Sequence, residues 1–153
     1  MTDLDDLYST RIFELAAHIP RIGRLAAPDA TGEARSKLCG SEVTVDLSLL
    51  GGRVSDYGQE IKACLLGQAA ASVMGREIAG STPAELRAVR ETMRAMLKEG
   101  GPPPAGRWRD LGVLEGVRSY KMRHDAVMIV FDAVCQALDR IDAKARSPSA
   151  DAP

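Results

Sequence analysis

Val43, Val45, Leu47 and Leu49 alternate with Thr44, Asp46 and Ser48. Successive side chains of a strand point to opposite faces, so this alternation commits the segment to a strand with one buried and one polar face. Gly51-Gly52 follows directly, and glycine's freedom at positive φ makes a tight reversal easy there. Residues 53–62 read as a second, less regular strand, which completes a hairpin.

Helical periodicity surrounds this hairpin. Leu4, Leu7, Tyr8, Ile12, Leu15 and Ala16 recur at three- and four-residue steps and predict a first helix, capped by Thr2 or Asp3 and ended by Pro20. Residues 20–37 lack periodicity and read as an extended connector. From Cys64 to Ala79 the chain turns to Gly67, Ala69, Ala70, Ala71 and Ser72, small side chains that let a helix approach its neighbours closely. Ser81-Thr82-Pro83-Ala84-Glu85 is a helix start, with a hydroxyl cap, an early proline and an acidic first turn. Leu86, Val89, Met93, Met96 and Leu97 mark its apolar face, and Gly100-Gly101-Pro102-Pro103-Pro104 ends it. Residues 108–117 predict a short helix or turn followed by a loop. His124 leads into Val127, Met128, Phe131, Val134, Cys135, Leu138 and Ile141, a long stripe at helical period. The expected fold is α+β, with helices on one face of a small antiparallel sheet. One domain is expected over residues 1–145, followed by a disordered tail over 146–153.

Composition excludes several roles. The formal net charge of -1 over 153 residues provides no basic stripe for nucleic acid. The longest strongly apolar run, Ala126 to Phe131, is far too short for a bilayer. The opening Met1-Thr2-Asp3-Leu4-Asp5-Asp6 is acidic where a signal peptide is basic, so the expected location is the cytoplasm. Three cysteines, Cys39, Cys64 and Cys135, in such a chain argue against a disulfide framework. No local Cys-x-x-Cys exists, and any metal site must be assembled by the fold. On residue chemistry alone, Cys39 and Cys64 are equally small packing residues, and His124 is equally a hydrogen-bonding residue at a helix start. The first-turn carboxylate of Asp125 is explained by the helix dipole. Cys135 lies on the apolar stripe and reads as core, and His18 suits the end of the first helix.

Taken in order, four motifs resemble the NifU N-terminal/IscU/SufU family of iron–sulfur cluster assembly scaffolds over roughly residues 4–140. Leu7-Tyr8, Ile12 and Pro20-Arg21-Ile22-Gly23-Arg24-Leu25 are similar to the family's opening, without its two asparagines. Cys39-Gly40-Ser41 falls where the family has Cys-Gly-Asp. Ile61-Lys62-Ala63-Cys64, with the small-residue helix after it, matches the second family cysteine. Tyr120-Lys121-Met122-Arg123-His124-Asp125 lies where the family carries its third cysteine. That third cysteine is Asp125 here, the family aspartate is Ser41, and the Leu-Pro-Pro-Val-Lys motif of IscU proteins is absent.

The resemblance implies a sheet of about three strands, the third near Lys37 or in the connector. It implies a carrier rather than an enzyme. Such a carrier binds iron or a [2Fe–2S] cluster, accepts sulfur from a cysteine desulfurase, and passes it to apo iron–sulfur acceptor proteins. Cys39, Cys64 and His124 are the implied ligands, with Asp125 as a candidate fourth. Thiolates favour iron and zinc, and imidazole is an acceptable nitrogen donor. Helix N-termini at Cys64 and His124 would favour an anionic cluster. Asp125 lies about 100° around the helix from His124. The alternatives are a zinc-bound, SufU-like sulfur acceptor and an interaction module that no longer binds metal. A cysteine hydrolase lacks support, since no nucleophile elbow is present.

Overall fold

The computed structural model describes residues 9–146. Helix α1 (Thr10–Ala17) is followed by strands β1 (Ala30–Arg35), β2 (Glu42–Leu50) and β3 (Arg53–Lys62). Helices α2 (Leu65–Glu77) and α3 (Pro83–Lys98) come next, then 3-10 helices over Gly106–Ser119 and Lys121–Arg123, and finally α4 (His124–Arg146). The three strands form one antiparallel sheet in the order β1-β2-β3, as expected for this α+β chain. The predicted hairpin is present. Gly51 and Gly52 both take positive φ, 63° and 78°, the combination a two-residue hairpin loop requires. The third strand lies within the connector.

Val43, Val45 and Leu47 are buried beneath the helices. Helix α4 lies across β1 and β2, and α2 packs beside it against β3. The core between them holds Tyr57, Leu66, Met74, Met93, Phe131 and Leu138. The approach of α4 to β1 is set by Gly32. A Cβ there would run into the Ala133 carbonyl oxygen and stand 3.0 Å from the Ala137 nitrogen.

The opposite face of β2 carries Asp46, whose side chain is fully buried. The connector crosses over it. Arg24 donates through Nε at 2.7 Å and Nη2 at 3.2 Å, the Leu25 N–H donates at 3.0 Å, and the Thr31 hydroxyl at 2.5 Å. Burial opposes ionisation of this carboxyl, but the hydrogen bonds from Arg24, Thr31 and Leu25 outweigh it and hold its pKa below the ordinary value. Buried Gln59 fixes the other end of the connector. Its amide donates to the carbonyls of Pro20 and Ala71, both at 3.0 Å, and its oxygen accepts from the Tyr57 hydroxyl at 2.9 Å.

Three details differ from the sequence reading. Ser9 is extended (φ -68, ψ 163) and caps α1 at Thr10, so the first helical stripe does not run unbroken to Ala16. The expected cap at Thr2 or Asp3, and Leu4, Leu7 and Tyr8, lie outside the described residues. Arg146 completes α4 rather than opening a tail; the expected disorder over 147–153 lies outside the described residues. Residues 106–119 form one 3-10 stretch that buries Trp108, Leu111, Leu114 and Val117, where a short helix and loop were expected. No helix among the described residues is long and apolar enough to cross a membrane.

Candidate functional site: two cysteines joined through Ser41

Cys39 sits in the tight link between β1 and β2. The Ser36 N–H donates to the Ser41 carbonyl at 2.7 Å, and the Gly40 N–H to the Ser36 carbonyl at 3.0 Å. Closing so short a loop needs Gly40 at φ +73°, a conformation that side chains disfavour. Cys-Gly-Ser therefore has a local backbone reason. The loop leaves Cys39 partly exposed.

Two hydroxyls flank the Cys39 sulfur. Sγ lies 3.3 Å from Ser36 Oγ and 3.0 Å from Ser41 Oγ. Both serines are buried. Partial burial opposes the thiolate, but Ser36, the Ser41 side chain and backbone, and the charge of Arg123 outweigh it and bring the Cys39 thiol below its usual pKa.

Cys64 is the N-cap of α2, with extended backbone (φ -66, ψ 170) and no side-chain capping bond. Its N–H, one of the donors a helix start leaves free, points at Ser41 Oγ 3.2 Å away. One hydroxyl thus touches the sulfur of the first cysteine and the backbone of the second. The start of α2 is also drawn against the start of α4. A Cβ on Gly67 would lie 2.9 Å from the Ala126 carbonyl oxygen. Three separate stretches, around residues 39, 64 and 124, therefore converge at one end of the molecule.

His124 opens α4 as expected, but its ring turns into the protein. It is buried, with Nε2 3.0 Å from the Val117 carbonyl and 3.1 Å from the Arg118 carbonyl. Carbonyl oxygens only accept, so Nε2 carries a proton and donates to them. Asp125 is exposed on the first turn of α4. Among the described residues, no three His, Cys, Asp or Glu side chains come together as a metal-ligand group. The Nε2 side of the His124 ring is engaged with the end of the 3-10 stretch. Ser41 Oγ links the Cys39 sulfur to the Cys64 backbone N–H.

Beside Cys39 opens a cleft of about 720 Å³ lined by Leu38, Cys39, Tyr120, Lys121, Met122 and Arg123. Leu38 and Met122 are 63% and 67% exposed, unusual for large apolar side chains and suited to contact with a partner. Lys121 and Arg123 add positive charge. Sequence reasoning missed Ser36 and treated Ser41 only as a lost carboxylate. A serine on each side of a Cys-Gly turn was the available signal. Cys135 is buried on α4, in agreement with its reading as core.

No family model matches the chain. It is 25% identical over 135 residues to the iron–sulfur cluster assembly scaffold protein IscU of Thermotoga maritima, covering 88% of this chain and 94% of that protein. Among solved structures, it is similar to the N-terminal part of a nitrogen-fixing NifU-like protein from Brucella abortus. Identity there is 50% and the TM-score 0.90, over 92% of this chain and 98% of that one. A putative iron–sulfur cluster assembly scaffold protein for the SUF system from Fervidobacterium islandicum shares the fold. Its TM-score is 0.79 at 23% identity, over 86% of this chain and 96% of that one.

Proposed function

Since the chain belongs to the NifU N-terminal/IscU/SufU family, we propose that it serves iron–sulfur cluster assembly as a carrier. It accepts sulfur from a cysteine desulfurase in the cytoplasm and holds iron or a [2Fe–2S] cluster as cargo for apo acceptor proteins. Cys39, Cys64 and His124 are the proposed ligands, with Asp125 as a candidate fourth. The observation that carries this reading is the meeting of the two cysteines, from the β1–β2 link and the α2 N-cap, across the single hydroxyl of Ser41. Two thiolates on a partly open surface hold iron or a cluster less firmly than a closed four-thiolate site would, which suits cargo that must be passed on. The cationic and apolar rim of the cleft supports contact with a donor protein.

Anaerobic incubation with ferrous iron, a cysteine desulfurase and L-cysteine tests the proposal. The expected result is a visible-region cluster spectrum that is lost in Cys64→Ala. Identical blank spectra for both proteins would overturn it. Elemental analysis of protein purified without an affinity tag completes the test, since stoichiometric zinc without colour would instead indicate a zinc-bound sulfur acceptor.

A further inference from the structure

The two thiols of the site are not equivalent. Cys39 Sγ lies beside an open cleft and is flanked by two buried hydroxyls. Cys64 is half-buried against the core and caps α2 without a side-chain hydrogen bond. The difference traces to the direction of one hydroxyl. Ser41 Oγ accepts the Cys64 N–H, which occupies a lone pair and leaves the Ser41 O–H to donate. The Cys39 sulfur, 3.0 Å away, stands where that proton points. Ser36 completes the arrangement. Its oxygen accepts from the Cys39 thiol when the proton is on sulfur, and its hydroxyl can rotate to donate once the proton has left.

We infer that Ser41, assisted by Ser36, is the positioning residue that makes Cys39 rather than Cys64 the thiol that takes up sulfane sulfur. This rests on the sulfur-accepting reading above and names the residue that accepts and the residues that hold it. The step is a thiol–persulfide exchange. The Cys39 thiolate attacks the terminal sulfur of a donor persulfide, a new Cys39 S–S bond forms, and the donor's S–S bond breaks. The electron pair leaves on the donor, which departs as a thiolate, and the proton of the terminal sulfur travels with it to Cys39. No external oxidant or reductant is needed. The two hydroxyls keep Sγ in place during attack, and the adjoining cleft, with Lys121 and Arg123 in its lining, has room for the added sulfur.

Glutathione persulfide, applied to the full reduced chain without any protein partner, tests this. Peptide mass spectrometry after alkylation locates the added sulfur. Wild type is expected to carry it on Cys39 in about tenfold excess over Cys64, a ratio within what one hydrogen bond to a charged group supports. Ser41→Ala should bring the ratio close to one, Ser41→Thr should restore it, and Ser36→Ala should fall between. Thermal unfolding of each variant establishes that the fold persists. Equal labelling of the two cysteines in wild type, or full preference retained in folded Ser41→Ala, overturns the inference. If Ser41→Ala does not fold, the other two variants decide: unchanged preference in Ser36→Ala, or lost preference in Ser41→Thr, overturns it as well. A chain that loads Cys39 from glutathione persulfide but takes no sulfur from a cysteine desulfurase keeps this inference and loses the broader assembly reading.

Discussion

Replacing Asp46 by asparagine isolates the contact that pins the connector to the outer face of the sheet. The carboxylate is fully buried and receives four hydrogen bonds from Arg24, Leu25 and Thr31. The amide that replaces it has one accepting oxygen, and its NH2 group must face at least one of these donors. Arg24 is 48% exposed and stays hydrated without the pair, so its own share is small. The loss comes from exchanging hydrogen bonds to a buried charge for weaker ones to a neutral amide, since the Leu25 N–H can keep an accepting oxygen while the Thr31 hydroxyl turns to accept from the NH2 group. That costs about 2–3 kcal/mol, out of a typical total of about 5–15 kcal/mol. Trp108, the one tryptophan and a buried one, reports urea unfolding by fluorescence. With a slope of about 1–3 kcal/mol per molar urea, the midpoint should fall by roughly 1–2 M. The acid limb adds a second readout. Because the Asp46 pKa is lowered in the folded state, its contribution is fully present above the unfolded value of about 3.9. It is lost as pH falls through the folded pKa. Wild type should therefore lose stability below about pH 4 more steeply than Asp46→Asn. A variant within about 0.5 kcal/mol of wild type, with an acid limb of the same slope, would refute the reasoning.

Three further outcomes are expected. Gly32→Ala places a methyl against the Ala133 and Ala137 backbone, which cannot rotate aside as a side chain can, so urea unfolding should show a loss of about 1–3 kcal/mol or more. Thr82→Ala removes half of a capping box, in which Thr82 Oγ1 accepts from the Glu85 N–H at 3.1 Å and Glu85 accepts from the Thr82 N–H at 3.3 Å; thermal or urea unfolding should report about 1 kcal/mol. His124→Phe leaves the Val117 and Arg118 carbonyls without their shared donor, and urea unfolding of protein prepared without metal should show a loss of about 1–3 kcal/mol; no loss would mean that the ring does not anchor the 3-10 stretch.

What could be read from the residues follows from how each element is stabilised. The hairpin was legible because alternation at 43–49 and two glycines specify both its strands and its turn. Strand β1, Ala-Thr-Gly-Glu-Ala-Arg, carries no such pattern, since α4 presses so closely on Gly32 that no side chain fits at that inward position. Its strand character comes from pairing with β2 (Thr31 opposite Asp46, Gly32 opposite Val45) and not from intrinsic preference. Helices α2, α3 and α4 announced themselves through small-residue content, a capping box and a long apolar stripe. The 3-10 stretch carries its apolar residues, Trp108, Leu111, Leu114 and Val117, at steps of three, the period of a 3-10 helix, a signal that a search for periods of two and 3.6 passes over.

At the site, the two cysteines were legible by position, whereas the roles of Ser41 and His124 depend on side-chain direction. The histidine's first-turn position suits a ligand or an anchor equally, and two carbonyls six and seven residues earlier decide which way the ring faces. Ser41 reads in sequence as a subtraction, an aspartate's charge removed. In the folded chain it is also an exchange of roles. A carboxylate so close to the Cys39 sulfur would repel its thiolate and could only accept hydrogen bonds. A hydroxyl fed by the Cys64 N–H donates to that sulfur instead. The other departure, Asp125 where the third thiolate would be, removes a soft ligand from the same end of the molecule.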